Sequence, residues 1–526
     1  MWLLVLAAAL PYLNALPNDF TLDDHGLIEQ NEAVAAFDLV AFFSQDYWAG
    51  YDVHAESGLY RPLTLTTFAI ERALFGLRPL PYHATNLLLH IGVTLLAWRL
   101  LRASAGDRVG LWAAALFAVL PGHSEAIVAV AGRADLLATA AALAALCIWN
   151  RPGGWQRWLA GGLFFGLALL AKEQAVVVPG LLVALDWLRY HRQPRRWHWQ
   201  PLAVSVLLVL TYLLVRQIVL GSLAGITVEP LDNALIELQG SERVLAALAV
   251  ATRYAGLLIL PLHLSADYSH ATIDVQHISS LEIFAGLLLA ACSIAAVWRF
   301  VHRPDVPGLG MVWLVVCFSP LVNVLFPIGT ILAERLTYAP SLGFCLCLGW
   351  ALERSRPRLG QRPMNTLGLA LLLVLGLRTT ARCADWRSEQ SLFQAVVAEY
   401  PESARGHKGL AKALSDAGQL AAAESHYRRA IEIYPRFDTA HYNLGNLLHG
   451  TARFEEALFH FERACILRPT FADAHLNRGA ALFQLGRVSQ ALAATERALA
   501  LRPDWDVAQQ NLSDIQATIN RQGNGP

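Results

Sequence analysis

The chain has 526 residues, of which 55% are hydrophobic and 16% are charged, and its mean hydropathy is +0.40. This composition excludes an ordinary water-soluble globular protein. Because 41 basic residues balance 41 acidic ones, the chain as a whole has no positive field for a polyanion, and we expect no nucleic-acid partner.

Apolar blocks separated by short loops fill the chain from residue 1 to about residue 380. A helix needs ~20 apolar residues to cross ~30 Å of hydrocarbon, so the pattern predicts an all-α polytopic membrane domain over 1–382 with about eleven spans. The predicted spans are 1–16, 83–101, 109–121, 127–149, 157–171, 174–189, 201–220, 280–300, 310–326, 335–352 and 364–380. The stretch 244–262 breaks the alternation and is interpreted as interfacial or re-entrant. The first block could instead be a signal peptide, although it lacks a basic leader.

Arginine-rich loops predict the orientation, because Lys and Arg are retained on the cytoplasmic side of a membrane. With the N-terminus inside, eleven spans put five arginine-dense loops on the cytoplasmic face: 99–108, 151–157, 189–196, 299–303 and 354–362. The same count puts loops 17–82 and 221–279 and the C-terminal domain outside. We therefore expect a bacterial inner-membrane protein with its active side toward the periplasm, or toward the ER lumen in a eukaryote.

From about residue 383 the sequence becomes amphipathic and periodic. Prolines recur every 34 residues, at Pro401, Pro435, Pro469 and Pro503, and 34 residues is the tetratricopeptide period. Residues 383–526 are therefore predicted to form an α-solenoid. Its repeats are expected at about 404–437, 438–471 and 472–505, with a capping helix at 505–521.

The concave groove of this solenoid is predicted to carry a row of polar side chains: Tyr442, Asn443, Asn446 and Asn477, with Lys408, Lys412 and Phe483. Stacked amides could hydrogen-bond the backbone of an extended polypeptide acceptor without reading its side chains. The alternative interpretation is that these residues are ordinary solvated helix faces.

Ionisable groups collect on the predicted outer side of the membrane domain. Such groups are costly in or beside a span and by default mark function. They are Asp23 and Asp24 in FTLDD, Tyr60 and Arg61 in YRPLT, His123, Glu125, Arg133 and Asp135 in PGHSEAIVAVAGRAD, Lys172 and Glu173 in AKEQ, Asp267 in LSADYS, and Glu334 and Arg335 in LAERLTY. We expect these residues to line a polar cavity.

Such a cavity could support group transfer from a lipid phosphate. One carboxylate of the acidic pair would act as general base, cations would stabilise the departing phosphate, and the spans would hold the lipid tail. The candidate cations are Arg61, Arg133, Lys172 and Arg335. Structural alternatives remain: the acidic pair as a helix N-cap, and Arg133–Asp135 and Glu334–Arg335 as ion pairs.

The motifs, in this order and followed by the repeats, resemble the TMTC family of transmembrane O-mannosyltransferases, which are GT-C glycosyltransferases. The resemblance rests on the acidic pair, YRPLT, H-x-E followed by GRADLL, AKEQ, and AERLTYAPSLGF. It implies inverting transfer of mannose, or of another hexose, from a polyprenyl monophosphate in the membrane to Ser or Thr of an exported protein.

The resemblance also implies roles for single residues. Asp23 would be the general base and Asp24 would orient the acceptor, while the four cations would face the donor phosphate. His123 and Glu125 would shape the sugar site. The other candidate substrate-binding residues are Tyr60, Asp135, Glu173, Asp267 and Glu334.

Two other functions stay open: transfer to an envelope glycan or lipid, and a non-catalytic membrane scaffold. A divalent ion such as Mg or Mn could use Asp23, Asp24, Glu125 and Asp267 as oxygen ligands. A monophosphate donor beside four cations has less need of a metal, so no metal or other cofactor is expected.

Overall fold

The computed structural model describes residues 1–51, 57–151, 153–192, 199–222, 228–270 and 272–523. Over these residues the regular structure is helical, without a β-strand, which confirms the predicted all-α fold class. Arg195 and Arg196 of the predicted 189–196 loop lie outside the described residues. The chain divides into a membrane unit, Met1–Ser269 with Ile273–Leu392, and a repeat unit, Phe393–Pro526 with His270–Thr272; the sequence-based boundary fell between 382 and 383.

The membrane unit is a bundle of helices joined by short turns. Its α-helices are α1 Trp2–Ala9, α2 Glu32–Ala36, α3 Leu39–Ser44, α4 Pro62–Phe75, α5 Pro79–Ala105, α6 Asp107–Ala118, α7 Ser124–Val128, α8 Arg133–Trp149, α9 Trp155–Ala171, α10 Val178–Arg192, α11 Trp199–Leu220, α12 Gly240–Ile259, α13 Ser280–His302, α14 Val306–Phe318, α15 Ser341–Leu359 and α16 Gln361–Asp385. Short 3₁₀ turns lie at Leu10–Ala15, Pro121–His123, Val130–Gly132, Glu173–Val177, Ala234–Glu237 and Glu334–Thr337, and a π turn at His25–Glu29.

Five helical segments in the described part of the chain are long and apolar enough to cross a membrane: Pro79–Ala105, Val130–Trp149, Trp199–Leu220, Ser280–His302 and Gln361–Asp385. A sixth results if α6 and the bent segment Pro121–Val128 form one broken span. The apolar faces of α11 and α13 are largely exposed, as expected for helices that contact lipid. These helices support a multi-pass membrane protein, while the count of eleven spans stays a prediction.

Prolines explain why several predicted spans are shorter or interrupted. A proline lacks the amide hydrogen needed inside a helix and restrains the residue before it, but fits a helix's first turn. The relevant residues are Pro11 in the first 3₁₀ turn, Pro121 after α6, Pro179 at the start of α10, Pro320 after α14 and Pro340 before α15. The stretch predicted as interfacial, 244–262, is mostly the helix α12, which packs along α13.

The hairpin of α8 and α9 defines two ends of the membrane unit. The first turn of α8 carries Asp135, and Lys172 directly follows α9, so both lie at one end. The turn between the two helices lies at the other end. Since α8 has 17 residues, the two ends are about 25 Å apart at a rise of ~1.5 Å per residue. We call them the polar end and the hairpin-turn end.

The repeat unit consists of helix pairs that recur every 34 residues. Its helices are α17 Glu389–Glu399, which begins in the membrane unit, α18 Ala404–Asp416, α19 Leu420–Ile433, α20 Asp438–Gly450, α21 Phe454–Leu467, α22 Ala472–Gln484, α23 Val488–Leu501 and α24 Asp506–Gly523. The alanines that repeat on the second helices are fully buried. Gly445 is required at its position because a Cβ there would lie 2.7 Å from the Phe461 ring.

Candidate active site

The two neighbouring aspartates at the polar end have different surroundings. Leu22, just before them, has a left-handed φ of 52°, which is strained for a branched side chain. The Asp24 side chain is completely buried, whereas that of Asp23 is 46% exposed. The backbone therefore directs one carboxylate into the protein and leaves the other accessible.

Asp24 holds a neighbouring turn together. Its carboxylate accepts hydrogen bonds from the backbone amides of Thr21 (3.1 Å), Val130 (3.2 Å) and Ala131 (2.7 Å). Burial raises the pKa of Asp24 to about 7, although the three amide donors act in the opposite direction. The predicted acceptor-orienting role finds no support in this arrangement, since both oxygens are engaged by the protein. The alternative interpretation, a helix N-cap, is closer to what the structure shows. The turn that Asp24 caps is Val130–Gly132, directly before α8.

Three ion pairs form a polar-end cluster with Asp23. Lys172 Nζ lies 2.7 Å from Asp135 Oδ2, Arg61 Nη2 lies 2.5 Å from Glu173 Oε1, and Arg335 Nη1 lies 3.0 Å from Glu125 Oε1. The members of this cluster are Asp23, Arg61, Glu125, Asp135, Lys172, Glu173 and Arg335. Four carboxylates thus face three of the four cations that the sequence assigned to the donor phosphate. The cluster forms because each member lies at the end or beginning of a helix.

Arg335 joins the accessible aspartate to the rest of the cluster. Its Nη1 is 3.9 Å from Asp23 Oδ2, and its side chain is 36% exposed, compared with 14% for Arg61 and 4% for Lys172. The charges of Asp135 and Arg61 also act on it. Among these three cations, Arg335 has the greatest freedom to contact a ligand.

Arg133 lies apart from the cluster, in a closed pocket of its own. Its guanidinium donates to Glu71 (2.5 Å), Asn86 (2.9 Å) and the carbonyl of Tyr82 (3.0 Å), and it lies over the ring of Phe68. The side chain is fully buried. Its guanidinium is thus closed off from the place predicted for the donor phosphate, and its ion-pair partner is Glu71 rather than Asp135.

His123 and Tyr60 are core residues. The His123 ring is completely buried, with Nε2 2.8 Å from Ser341 Oγ and with Phe117 and Tyr338 against its faces. The Tyr60 hydroxyl donates to the Phe43 carbonyl at 3.1 Å. Burial explains why neither residue faces the cluster as the sequence motifs predicted.

Glu334 and Asp267 belong to a neighbouring network. Glu334 is fully buried, and its Oε1 accepts from the Tyr268 hydroxyl (3.1 Å) and from Arg382 Nη2 (3.3 Å). Burial raises the pKa of Glu334 to about 7. Asp267 accepts from Ser269 within its own loop. The alternative interpretation of Glu334 and Arg335 as an ion pair does not hold, because Arg335 pairs with Glu125 and Glu334 with Arg382.

Tyr47 is a cluster neighbour that the sequence motifs did not reveal. Its ring lies 5.2 Å beneath the Arg61 guanidinium, and the charges of Asp23 and Arg335 act on its hydroxyl. The hydroxyl is buried without a hydrogen-bond partner among the described residues, which is uncommon for a native buried polar group. Burial also raises the pKa of Tyr47. No signal in the sequence distinguishes this tyrosine from the others in the loop.

A second unpredicted network supports the backbone at the acidic pair. Glu389 Oε1 accepts from the Leu22 amide at 2.6 Å and lies 3.5 Å from His25 Nε2, and His25 Nδ1 lies 2.5 Å from Glu29 Oε2. Hydrogen bonding to Glu389, assisted by Glu29, raises the pKa of His25 to about 9. A protonated His25 between two carboxylates thus stabilises the strained turn that presents Asp23.

An apolar slot opens beside the cluster. It has a volume of about 50 Å³ and is bordered at one end by Asp135 and along α8 by Ala138, Ala142 and Leu146. The opposite wall comes from the start of α10 and from α14. The lining residues on α8, from Asp135 to Leu146, extend over about 16 Å at ~1.5 Å per residue.

The candidate metal ligands do not form a metal site. Within the described residues there is no group of three or more His, Cys, Asp or Glu side chains placed to hold an ion. Of the four predicted oxygen ligands, Asp24 is occupied by backbone amides and Glu125 by Arg335. The residues present therefore do not fit Mg or Mn.

In the repeat unit the predicted groove residues divide into two sets. Asn477 donates to Asn446 Oδ1 (2.7 Å) and to the Tyr442 hydroxyl (3.3 Å), whereas Asn443 hydrogen-bonds Tyr427. Asn443 and Asn477 are one 34-residue period apart but have different partners. Tyr442, Asn443, Asn446 and Asn477 are all partly exposed, so a polypeptide could still reach them.

Family models and relatives agree with this architecture. Tetratricopeptide-repeat models match residues 387–436, 453–486 and 472–504, which confirms the predicted repeats. The chain is 29% identical to the protein O-mannosyl-transferase Tmtc3 of Drosophila melanogaster, over 81% of this chain and 54% of the relative. It is 30% identical to the protein O-mannosyl-transferase F38B6.6 of Caenorhabditis elegans, over 81% and 62%.

A solved structure, the oligosaccharyltransferase of Archaeoglobus fulgidus, aligns over 73% of this chain and 53% of its own at 16% identity, with a TM-score of 0.42. The predicted resemblance to TMTC-type protein O-mannosyltransferases is confirmed by the named relatives. The chain spans about half to two thirds of the length of the curated relatives that it matches.

Proposed function

We propose that the chain is a membrane glycosyltransferase that moves a hexose, mannose in the first instance, from a polyprenyl monophosphate to Ser or Thr of an exported protein. The relatives' names support the sugar and the protein acceptor. The observation that carries the proposal is the accessible carboxylate of Asp23 next to the exposed guanidinium of Arg335.

In the proposed reaction Asp23 takes the proton of the acceptor hydroxyl. The hydroxyl oxygen then forms a bond to the anomeric carbon from the face opposite the phosphate. The bond between that carbon and the phosphate oxygen breaks, and the polyprenyl phosphate leaves with the electron pair. One displacement of this kind inverts the anomeric centre, in keeping with the implied family chemistry.

Arg335 is the proposed ligand of the departing phosphate. A cation fixed where negative charge develops lowers the barrier without reorganising during the reaction. Because Arg335 lies between Asp23 and Glu125, a bound phosphate would compete with these carboxylates for its guanidinium. Lys172 and Arg61 would act as positioning residues, since each is already paired with a carboxylate.

The apolar slot beside Asp135 is proposed to guide the first part of the lipid tail, because it begins at the cluster and follows α8 away from it. The partly exposed amides of the repeat unit are proposed to hold the polypeptide acceptor. The proposed setting is a membrane whose non-cytoplasmic face carries the polar end. We propose that no divalent ion takes part.

The test is transfer by the purified protein in nanodiscs from radiolabelled polyprenyl-phosphate mannose to a total extract of exported proteins, with and without EDTA. Asp23→Asn is compared with Asp19→Asn, which alters an exposed aspartate of the same loop. We expect protein labelling by the wild type and by Asp19→Asn, in EDTA as well, and none by Asp23→Asn.

Wild-type transfer by Asp23→Asn would contradict the proposed base, and loss of transfer in EDTA would contradict a metal-free reaction. Label that enters only glycan or lipid would move the acceptor to that class. Absence of transfer with mannose, glucose and galactose donors would leave the scaffold function standing.

A further inference from the structure

The hairpin-turn end of the membrane unit contains a cavity that the proposed reaction does not use. Its volume is about 400 Å³, and it lies between α5, α8 and α9. Leu96, Ala144 and Phe164 form an apolar wall, and Arg99, Arg151 and Arg157 line the rest. On α8 the cavity is lined from Ala144 to Ile148, nine to thirteen residues beyond Asp135 or about 14–20 Å at ~1.5 Å per residue, so this cavity is distinct from the polar-end cluster.

Two of the three arginines of this cavity have no neutralising partner in the part of the chain that the structure describes. Neither Arg99 nor Arg151 forms an ion pair or a side-chain hydrogen bond with a described residue. The nearby carboxylates are already engaged, since Asp107 pairs with Arg102 at 2.5 Å and Asp186 with Arg189 at 2.8 Å. The cavity therefore combines unneutralised arginines with an apolar wall.

We infer that this cavity binds the phosphate headgroup of an anionic membrane phospholipid, with an acyl chain against its apolar wall. Arginine side chains match phosphate oxygens in geometry as well as in charge. Basic pockets between membrane helices are typical sites for anionic headgroups. Simple retention of arginine in a cytoplasmic loop would explain the charge but not a partly open cavity with an apolar wall between its exposed arginines. This inference does not depend on the proposed transferase function.

The test uses the full chain, purified and delipidated in detergent and then offered an equimolar mixture of phosphatidylglycerol and phosphatidylcholine. Native mass spectrometry counts the lipid that stays bound. We expect preferential retention of phosphatidylglycerol. The double variant Arg99→Gln/Arg151→Gln should retain at least about tenfold less, because each arginine near an anionic lipid surface contributes ~1 kcal/mol.

Two further variants separate a built site from general charge. Arg108→Gln removes an arginine at the same end that does not line the cavity, and it should retain phosphatidylglycerol like the wild type. Ala144→Trp fills the cavity while keeping its arginines, and it should lose the lipid. The folded state of each variant is checked by its thermal unfolding midpoint.

Equal retention of the two lipids, or full retention by the double variant or by Ala144→Trp, would overturn the inference. So would equal loss in Arg108→Gln, which would show only a general positive surface. Displacement of the lipid by millimolar inorganic phosphate would identify free phosphate as the ligand and would likewise overturn it.

Discussion

Charged side chains have different partners in the two units of the molecule. Two pairs of the membrane unit are almost completely buried and join distant parts of the chain: Arg133 and Glu71 are 62 residues apart, and Lys172 and Asp135 are 37 apart. In the repeat unit Arg428 pairs with Glu424, four residues away on an exposed helix face. Each charge of these two buried pairs therefore depends on one particular partner, whereas the exposed charge of Arg428 is also solvated by water.

This difference predicts the largest stability effect at Arg133. Arg133→Met leaves Glu71 buried and unpaired, and the loss of one partner of a buried pair costs about 3–5 kcal/mol. We expect little folded monomer on size-exclusion chromatography. The double variant Arg133→Met/Glu71→Leu should recover much of the loss, because replacing both partners by apolar residues is often nearly neutral. If Arg133→Met alone were as stable as the wild type, the contrast between buried pairs in the membrane unit and exposed pairs in the repeat unit would be contradicted.

Tyr47→Phe tests whether the unpartnered hydroxyl serves a substrate. The change removes one oxygen that has no described hydrogen-bond partner, so the unfolding midpoint should not fall. Transfer should fall about tenfold, because a hydrogen bond to a charged group contributes ~1.5–3 kcal/mol. Tyr60→Phe is the control: it removes a bond to the Phe43 carbonyl and should lower stability more than transfer. Unchanged transfer in Tyr47→Phe would exclude this role.

Acidification should weaken the first two helix pairs of the repeat unit. Nδ1 of His407 lies 2.8 Å from Nδ1 of His426, and His441 and His460 are 3.0 Å apart in the same way. Only one proton fits between two such nitrogens. Burial lowers the pKa of all four, with His460 at about 4.

The direction of the change in stability with pH follows from the difference between the folded and unfolded pKa values of the histidines. The unfolded histidines, with pKa values of ~6.5, bind protons before the folded ones, so stability is complete above about pH 6.5 and falls as the pH drops toward the folded pKa. Hydrogen exchange at pH 7.5 and pH 5 on the full chain should show lost protection in α18–α21. The pair α22–α23 is an internal control, because Ala494 replaces the second histidine there. Equal loss in all three pairs would contradict the explanation.

The smallest effect is expected at Arg428. Its side chain is 46% exposed and contacts Glu424 and Glu456, and exposed pairs contribute ~0–1 kcal/mol. Arg428→Ala should therefore change the free energy of unfolding by less than about 1 kcal/mol. A loss as large as that of Arg133→Met, measured by the same thermal unfolding, would remove the distinction between the two units.

Periodic features of the fold could be predicted from the sequence, and so could the residues that gather at the polar end. The 34-residue period marks the repeat helices, and the charged motifs contain all seven residues of the polar-end cluster. Pro179 and Pro340 are also local signals, because each marks a helix break. The predicted spans 174–189 and 335–352 run through these prolines because they are placed by the length of the apolar blocks. Local spacing and composition are sufficient for such features.

Pairing across the bundle could not be predicted. Glu71 and Arg382 stand in ordinary helical sequence, yet they complete the surroundings of Arg133 and Glu334. The two aspartates are adjacent, so composition cannot tell which is buried; the left-handed backbone at Leu22 decides it. These outcomes depend on contacts between segments that are far apart in the chain.

The central claim is that Asp23 reacts while Asp24 supports the turn behind it, and the most direct measurement compares Asp23→Asn with Asp24→Asn. Transfer and the thermal unfolding midpoint are measured for both in the same nanodiscs. The account predicts that Asp23→Asn unfolds like the wild type and transfers no sugar. Asp24→Asn should be less stable by about 1–3 kcal/mol, because its amide hydrogens would face backbone donors. Wild-type transfer by Asp23→Asn, or full stability with lost transfer in Asp24→Asn, would contradict it.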